Sequence, residues 1–301
     1  MRNAFSAGSL NSHSLGGGRR AGRYPMIKRI TCKTVLTKSG IGGGYTLNPY
    51  FGCQHSCVYC YARYLLRYRP HDEPWGGFVD VKLNAPEVLE REIRRKRPGS
   101  VFLSTACDAY QPIESELRLT RRLVEILADS PSQIKILTKS SLVRRDLSIL
   151  AEADPPASLG VTVTTVDERI RSLIEPSASP SSERFAAIEE AKSLGIETWV
   201  MAGPLMPFIT DSVESLERLF TRAKEVGASF IYVDKLNRRG GVWESVSNFL
   251  SKHRPGLVKI YRRYFFEGPF RDEYLQALRE RVRSAASKAG WDEGKIRMES
   301  I

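Results

Sequence analysis

The sequence predicts an α/β fold, a partial (β/α)6 TIM-like barrel with a helical C-terminal extension. Short apolar runs rich in β-branched residues alternate with stretches of helical periodicity, at a spacing of roughly 30–35 residues. Such alternation is typical of βαβ units, which build a parallel sheet. The number of units is the second observation, because six of them fit a curved, partly open barrel. A flat doubly wound sheet is the alternative that periodicity leaves open.

Six apolar runs are expected to form the strands, and their near-continuous hydrophobicity suits strands that are buried on both faces. They lie at 45–50, 100–105, 133–138, 159–165, 196–203 and 229–234. The interval 54–99 is longer than one unit, so we expect it to hold three further elements. These are a helix after a cysteine cluster, a short strand at 78–83 and a helix at 86–97.

Amphipathic helices are predicted between the strands. One begins near Glu114, and two others end at Gly195 and Gly227, because glycine readily adopts the left-handed conformation that follows a helix. From about residue 242 the pattern is mostly helical, and apolar residues at 275–286 mark a final amphipathic helix. The aromatic and basic stretch 259–266 is interpreted as a helix with an apolar core face. Its composition also suits a surface that stacks bases and contacts phosphates.

The expected organisation is a disordered basic tail at 1–25, the barrel at 26–241 and the helical extension at 242–301. The tail has too few apolar residues to offset the entropy cost of ordering it. Met26 stands where the tail ends and is an alternative start of the protein. The glycine-rich stretch 40–44 lacks the Lys-Ser or Lys-Thr pair of a phosphate-binding loop, so we expect a flexible loop there.

Composition excludes several classes of protein. The chain has 301 residues with 42% hydrophobic and 27% charged content, which is ordinary for a soluble globular protein with a sizeable core. No run approaches the ~18 apolar residues that cross a bilayer, and the N-terminal residues lack the apolar segment of a secretory signal. We therefore expect a cytoplasmic monomer with no membrane partner.

Positive charge is concentrated near the N-terminus. The formal net charge is +12, and eleven basic residues precede Asp72, the first acidic residue. A basic arm of this kind attracts nucleic acid, and the alternative is a solvated tail that only keeps the protein soluble. A start at Met26 would remove four of these charges and weaken the case for nucleic acid.

Three of the five cysteines form a C-x3-C-x2-C cluster at Cys53, Cys57 and Cys60. An odd number with three close together argues against a disulfide framework and for a metal site in a reducing compartment. Three thiolates suit a soft metal or an iron–sulfur cluster. A closed zinc site needs a fourth ligand, for which His55 is awkwardly placed between two of the cysteines. A four-iron cube usually takes four cysteines, so three leave one iron open to a substrate or cofactor.

The cysteine spacing, with the aromatic Tyr59 directly before the last cysteine, resembles the radical S-adenosylmethionine (SAM) superfamily. The resemblance implies that Cys53, Cys57 and Cys60 hold a [4Fe-4S] cluster whose fourth iron chelates S-adenosylmethionine. It implies that one electron from the cluster cleaves SAM to a 5′-deoxyadenosyl radical, which abstracts hydrogen from a substrate. The implied electron donor is of flavodoxin or ferredoxin type. Tyr59 is assigned to the cofactor-binding site.

The resemblance extends over about residues 28–265 to the spore photoproduct lyase-related branch of that superfamily. It rests on Asn48-Pro49-Tyr50, Gly52-Cys53, Tyr59-Cys60-Tyr61-Ala62, Asp108-Ala109-Tyr110-Gln111-Pro112-Ile113-Glu114, Thr138-Lys139-Ser140, Arg145-Asp146 and Glu175-Pro176. Spore photoproduct lyase itself repairs a thymine dimer in DNA, and most members of the branch have no assigned substrate. The branch therefore implies a partial barrel and radical chemistry, and it leaves the substrate open.

In barrels the functional residues lie at the carboxyl ends of the strands. The resemblance implies that the end of the second strand faces the SAM amino group, so Asp108 is expected to accept a hydrogen bond from it, and a capping or turn role is the alternative. After the third strand, Lys139 suits the SAM carboxylate and Ser140 adjoins it. The alternative for Lys139 is a solvated rim lysine. The fourth strand ends in Thr164-Thr165, which suit the carboxylate or the ribose, and capping of the helix after Asp167 is the alternative.

Further residues complete the predicted site. Glu175-Pro176 and Arg184 lie where ribose and carboxylate contacts are expected, and a surface charge is the alternative for Arg184. Cys107 ends the second strand beside the expected cofactor, where a thiol is able to return hydrogen to a product through its weak S–H bond. The alternative for Cys107 is a small buried apolar side chain. Cys32 has no predicted role.

The predicted function is therefore a radical SAM enzyme, with a nucleic-acid base as candidate substrate in a lyase reaction that resembles DNA-lesion repair. A peptide- or small-molecule-modifying radical SAM enzyme is the alternative within the same chemistry. The alternative of another class is a zinc-stabilised nucleic-acid-binding module without catalysis. The sequence has no second cysteine cluster, so no auxiliary iron–sulfur centre is expected.

Overall fold

The computed structural model describes residues 25–39, 44–298 and 301. The disordered tail predicted at 1–25 lies outside the described residues except for Pro25. Of the glycine-rich stretch 40–44, only Gly44 is described, and it begins a strand. Within the described residues, no helix is both long and apolar enough to span a bilayer.

The described strands are numbered in chain order. They are β1 (Met26–Ile30), β2 (Leu36–Ser39), β3 (Gly44–Leu47), β4 (Tyr50–Phe51), β5 (Phe78–Lys82), β6 (Ser100–Leu103), β7 (Gln133–Thr138), β8 (Ser158–Val163), β9 (Glu197–Leu205), β10 (Phe230–Lys235) and β11 (Ile296–Arg297). They form two sheets, one with β1, β5 and β4 and a larger one with the other eight strands.

The α-helices pack around these sheets. They are α1 (Ala85–Lys96), α2 (Glu114–Leu117), α3 (Leu119–Ala128), α4 (Leu147–Ala151), α5 (Glu168–Ile174), α6 (Ser181–Ser193), α7 (Val213–Glu225), α8 (Val242–His253), α9 (Val258–Phe266) and α10 (Gly268–Lys288). Short 3-10 helices cover Tyr61–Arg67, Ser141–Asp146, Pro255–Leu257 and Glu293–Lys295.

The strand order of the larger sheet decides between the two predicted architectures. The order is β2-β3-β6-β7-β8-β9-β10-β11, and every pair from β3 to β11 is parallel, whereas β2 runs antiparallel to β3. Neighbouring strands of this sheet therefore follow one another along the chain, and the strand order never reverses. A doubly wound sheet reverses its order at a switch point. The observed winding is that of a partial barrel, as predicted.

The predicted strands are confirmed with small shifts of their ends. The apolar run at 133–138 forms β7, and β8 is buried along its whole length, which is the pattern of a parallel strand covered on both faces. The first predicted strand, 45–50, is divided between β3 and β4, which belong to different sheets. The carboxyl ends of the six central parallel strands therefore meet at one rim, above which the cysteine cluster lies.

The helix predicted from Glu114 is instead two helices, and a buried carboxylate explains the break. Arg118, between α2 and α3, has a left-handed backbone with φ of 49°. The Glu114 side chain is fully buried and accepts the backbone N–H groups of Thr120 at 2.8 Å and Arg121 at 3.2 Å. These amides belong to the first turn of α3 and have no partner within that helix. Glu114 therefore caps α3 from outside it.

The C-terminal part is helical, as predicted, but it also returns to the sheet. The final amphipathic helix, α10, buries Leu275, Leu278 and Val282, and α9 buries the aromatic face predicted for 259–266. After α10 the chain adds β11 alongside β10 in parallel register. The pairing of this two-residue strand has no local signal in the sequence. It extends the parallel sheet beyond the six predicted strands.

Candidate active site

The three clustered cysteines lie in one loop between β4 and the 3-10 helix Tyr61–Arg67. The loop begins at Gly52, whose φ is +88°, and a Cβ atom there would lie 2.4 Å from the Phe78 carbonyl oxygen. Only glycine fits this sharp and crowded turn. Cys53 and Cys57 are buried and Cys60 is partly buried, so all three thiols are withdrawn from bulk solvent.

The cysteine loop is braced from two sides. The fully buried Gln111 accepts the Gln54 backbone N–H at 2.8 Å and donates its side-chain amide to the Gly52 carbonyl oxygen at 3.3 Å. On the other side, the Val58 backbone N–H donates to the Ile174 carbonyl oxygen at 2.9 Å. Gln111 occurs in the sequence motif that follows Asp108, but its bracing role depends on a contact across 57 residues.

The three clustered thiols are free to serve as metal ligands. All three cysteines are free, and the charges of Cys57 and Cys60 each act on Cys53, so the thiols share one space. Burial raises the pKa of Cys57 to about 12, although the nearby Lys139 opposes the rise. Coordination to a metal replaces the proton of such a thiol. The residues present therefore fit a metal centre with thiolate ligands.

The described side chains form no single-ion metal site at the cysteine loop. In the described part of the chain, no three His, Cys, Asp or Glu side chains converge closely enough to hold a metal ion. A closed zinc site draws four ligands to one point, whereas a four-iron cluster is wider and its ligands surround it at a distance. His55, the zinc ligand weighed above, is buried and places its Nδ1 3.4 Å from Asp108 Oδ2. It faces a carboxylate of the adjacent strand end.

Asp108 follows β6 and joins the ends of β6 and β7. Its carboxylate accepts the Thr138 hydroxyl at 2.7 Å, the Tyr110 backbone N–H at 2.9 Å and the Lys139 backbone N–H at 2.8 Å. Burial by itself would raise the pKa of Asp108, but His55 and these donors hold it well below its ordinary value. Asp108 is therefore an anion with a turn contact of the kind weighed above. Its contact with the SAM amino group stays a prediction.

Lys139 follows β7 and brings an ammonium group to the cysteine loop. Its Nζ lies 5.7 Å from the centre of the Tyr59 ring, and within the described residues it makes no hydrogen bond or ion pair. Burial opposes its charge, but Cys57, Glu175 and Asp108 outweigh that effect, so its pKa is raised. The side chain is thus a partly buried cation with free donors beside the three thiols.

The side chains of Tyr59, Thr164 and Arg184 meet at one carboxylate, that of Glu175, which the sequence analysis placed with Arg184 at the expected ribose and carboxylate contacts. The Tyr59 hydroxyl donates to Glu175 and lies 3.0 Å from the Thr164 hydroxyl, which is itself 2.8 Å from Glu175. Arg184 Nη2 binds the other carboxylate oxygen at 2.5 Å, and both side chains are fully buried. Tyr59 precedes Cys60, so this network ties the cysteine loop to β8 and α6.

The surface-charge alternative for Arg184 is therefore wrong. Besides the Glu175 contact, its guanidinium donates to the Thr162 carbonyl oxygen at 2.8 Å and to the Ser179 carbonyl oxygen at 2.8 Å. The capping alternative is wrong for Thr164, because the Asp167 side chain caps α5. The neighbouring Thr165 hydroxyl does accept the Asp167 backbone N–H, at 3.1 Å. Contacts of Arg184, Thr164 and Tyr59 with a cofactor stay predictions. In this structure their polar groups form hydrogen bonds with Glu175, with one another and with backbone carbonyl groups.

Ser140 and Cys107 complete the set of predicted residues. The Ser140 hydroxyl accepts the Leu142 backbone N–H at 3.3 Å and so caps the 3-10 helix that follows β7. Cys107 is buried, and its Sγ lies 3.8 Å from Asn48 Oδ1. Burial raises the pKa of Cys107 to about 12, and Cys60 is close enough to contribute to that rise. Cys107 therefore keeps its S–H group at neutral pH, beside the cysteine loop.

One known protein family matches the sequence of this region. A sequence model of the Radical SAM superfamily matches residues 47–220, which is more than half of the chain. The matched stretch contains the cysteine loop and every residue placed at the site above.

Relatives from distant sources match over most of their length. An uncharacterized protein of Mycobacterium tuberculosis is 34% identical over 286 residues, 89% of this chain and 84% of the relative. An uncharacterized protein of Methanocaldococcus jannaschii is 28% identical over 248 residues, 80% of this chain and 91% of the relative. The similarity is therefore not confined to the cysteine loop.

Solved structures share the fold. Spore photoproduct lyase in complex with a dinucleoside spore photoproduct matches with a TM-score of 0.67 at 13% identity, over 90% of this chain and 81% of that chain. Streptococcus suis SuiB, bound to its precursor peptide SuiA, matches with a TM-score of 0.52 at 12% identity, over 92% of this chain and 49% of that chain. At these identities the likeness shows a common architecture.

Proposed function

Because this chain belongs to the radical SAM superfamily, we propose that Cys53, Cys57 and Cys60 hold the [4Fe-4S] cluster which that superfamily uses together with S-adenosylmethionine. When bound, these two groups supply the reductive cleavage of SAM to a 5′-deoxyadenosyl radical that abstracts hydrogen from a substrate. The observation that carries the proposal is the cysteine loop. Its three free thiols share one buried space, and Gln111 and Ile174 fix the backbone around them.

Lys139 is the proposed partner of the SAM carboxylate. A partly buried cation without a hydrogen-bond partner is unfavourable by itself, and an anionic ligand relieves that cost. Glu175 lies near enough to keep Lys139 protonated, but Glu175 is already engaged by Arg184, Tyr59 and Thr164. The Lys139 donors are therefore left for a ligand at the cysteine loop.

Replacing Lys139 with Met is expected to weaken SAM binding and to leave the iron content unchanged. A hydrogen bond to a charged group contributes about 1.5–3 kcal/mol, so the Kd should rise about 10- to 100-fold. Equilibrium dialysis of labelled SAM against the anaerobically reconstituted protein measures this change. Lys259→Met, at an exposed position on α9, is the control and should bind as the wild type does. An unchanged Kd in Lys139→Met would assign the carboxylate to another residue.

Cys107 is the proposed hydrogen donor to a product radical. Its thiol stays protonated, and Asn48 accepts the Cys107 backbone N–H at 3.3 Å, which fixes the strand end that carries it. The proposed step transfers one hydrogen atom, so that a C–H bond forms on the product as the S–H bond breaks. The resulting thiyl radical is then reduced by an electron and a proton from the external donor system. Radical SAM enzymes generally need an external electron donor, and we propose a donor of flavodoxin or ferredoxin type.

For Cys107→Ala we expect unchanged iron content and unchanged 5′-deoxyadenosine formation, but an altered product. In D2O the wild type should place deuterium from the exchanged thiol into the product, and the variant should not. Mass spectrometry of the product reads this difference. Cys32→Ala serves as the control, because Cys32 lies outside the loop and its backbone is bonded to Asn84. Identical product labelling in both variants would reduce Cys107 to packing.

A nucleic-acid base is the proposed substrate, in a lyase reaction that resembles lesion repair. The surface beside the cysteine loop supports this class. Arg67 lies 5.2 Å from the ring centre of Tyr68, which is 71% exposed, and Arg239 lies 4.6 Å from the ring centre of Tyr64. Aromatic rings with adjacent arginines are the groups on which unpaired bases stack. The likeness in fold to spore photoproduct lyase points in the same direction.

The test of this proposal has two stages. Reconstituted protein with dithionite should release 5′-deoxyadenosine and methionine from SAM, and intact SAM beside a loaded, reducible cluster would overturn the enzymatic assignment. Single-stranded and lesion-containing oligonucleotides should then bind with an affinity that falls steeply with salt. Arg67→Ser with Arg239→Ser should reduce both the affinity and the slope, whereas Arg222→Ser on α7 should not. Absent or salt-independent binding would favour a peptide or small molecule.

The other candidates remain distinguishable by the same preparations. A peptide substrate is supported by the likeness in fold to SuiB, which was solved with its precursor peptide. A zinc-stabilised nucleic-acid-binding module would yield colourless protein with zinc and no SAM cleavage. The proposed enzyme should instead be brown after anaerobic reconstitution with iron and sulfide.

A further inference from the structure

Trp75 lies against the cysteine loop. The turn that carries it precedes β5, and a Cβ atom on the next residue, Gly76, would lie 2.3 Å from the Ser56 Oγ inside the loop. The Trp75 side chain is only 4% exposed. Its ring meets Phe51 and Phe78 edge-on, with ring centres 6.2 and 6.1 Å apart. The indole is therefore packed against Phe51, which lies two residues before Cys53, and against Phe78 of β5.

The indole N–H of Trp75 is buried and has no hydrogen-bond partner among the described residues. A buried donor without a partner is costly and uncommon in folded proteins. Trp291 shows the usual arrangement, since its indole N–H donates to the Phe220 carbonyl oxygen at 2.9 Å. Cys60 packs against the same apolar cluster that contains Trp75. The unpartnered indole N–H therefore belongs to a side chain at the wall of the cysteine loop.

A neutral thiol is a weak acceptor, whereas a metal-bound thiolate is a good one. We propose that Trp75 is a positioning residue whose indole N–H donates to the Cys60 sulfur of the [4Fe-4S] cluster and raises the reduction potential of the cluster. The inference rests on the proposed ligation by Cys60. Hydrogen bonds to cluster sulfurs stabilise the reduced, more negative state, and they are among the known determinants of cluster potential.

The test is Trp75→Phe, which keeps an aromatic ring against Phe51 and Phe78 and removes the N–H. The midpoint potential of the one-electron cluster couple is titrated with dithionite and followed by electron paramagnetic resonance. We expect full iron content and a potential shifted to more negative values. Trp291→Phe also removes a buried indole N–H, but away from the loop, and it should leave the potential unchanged. Equal potentials in wild type and Trp75→Phe, with both clusters loaded, would overturn the inference.

A second measurement needs no substitution and decides the matter if Trp75→Phe fails to take up iron. Wild-type protein is labelled with indole-¹⁵N tryptophan, and pulsed electron paramagnetic resonance looks for ¹⁵N coupling to the reduced cluster. Coupling is expected because Trp75 borders the loop, and its absence would contradict the contact. Failure of the cluster assignment looks different, since Cys60→Ala would then retain full iron.

Discussion

Replacing Cys57 with Ala is expected to yield a folded protein with far less than one [4Fe-4S] cluster per chain. Cys57 is one of three proposed thiolate ligands, and no other cysteine is available in the loop to take its place. Metal binding and folding of the site are coupled, so loss of one ligand is costly. Iron analysis and the absorbance near 400 nm after anaerobic reconstitution should both fall, and SAM cleavage should stop.

The controls separate ligation from packing. Cys32→Ala and Cys107→Ala should retain the full iron content, because neither residue lies in the loop. Circular dichroism of the Cys57→Ala protein should match the wild type, since Gln111 and Ile174 still brace the loop backbone. Full iron loading in single alanine variants of Cys53, Cys57 and Cys60 would sink the assignment. Iron loss in Cys107→Ala would show that the ligands are a different set.

Arg184→Met is expected to reduce the free energy of unfolding by about 3–5 kcal/mol. The substitution leaves the Glu175 carboxylate fully buried without its cationic partner, which held it at 2.5 Å. Urea denaturation of the metal-free protein under reducing conditions measures the loss. Because Glu175 also binds Tyr59, we expect weaker iron loading as well.

Matched variants identify the cause of that loss. Arg144→Met breaks an ion pair to Glu190 on α6 that is also 2.5 Å long, but both partners are exposed, so its effect should be at most about 1 kcal/mol. The double variant Arg184→Met with Glu175→Gln removes both charges and should recover much of the stability. A double variant as unstable as the single one would assign the loss to the shape of the arginine side chain.

The same pair predicts a dependence on pH. Burial favours the neutral carboxyl, but Arg184 and Lys139 lower the pKa of Glu175 from 4.5 to about 2. A carboxyl with a lowered folded-state pKa contributes stability that is present above the unfolded pKa and is lost as pH falls through the folded one. The stability difference between wild type and Glu175→Gln should therefore shrink as pH falls from 4.5 to 2.

Elements with a strong local pattern were predictable. The run at 133–138 is confirmed as β7, because a short run of apolar, β-branched residues is a property of neighbours in the chain. The break between α2 and α3 was not predictable, because it depends on where the Glu114 carboxylate is buried. The strand β11 was missed for the same kind of reason, since its two residues pair with β10 far along the chain.

The sequence by itself determined the cysteine spacing, the basic stretch before Asp72 and the alternation of strands and helices that yields a parallel sheet, since each depends on residues close together in the chain. Only the tertiary structure decided the winding of the sheet, which follows from strand order. It alone placed Glu175 at the Tyr59 hydroxyl across 116 residues and the turn of Trp75 against the cysteine loop. Buried polar groups choose their partners by proximity in space, because burial removes water as the competing partner.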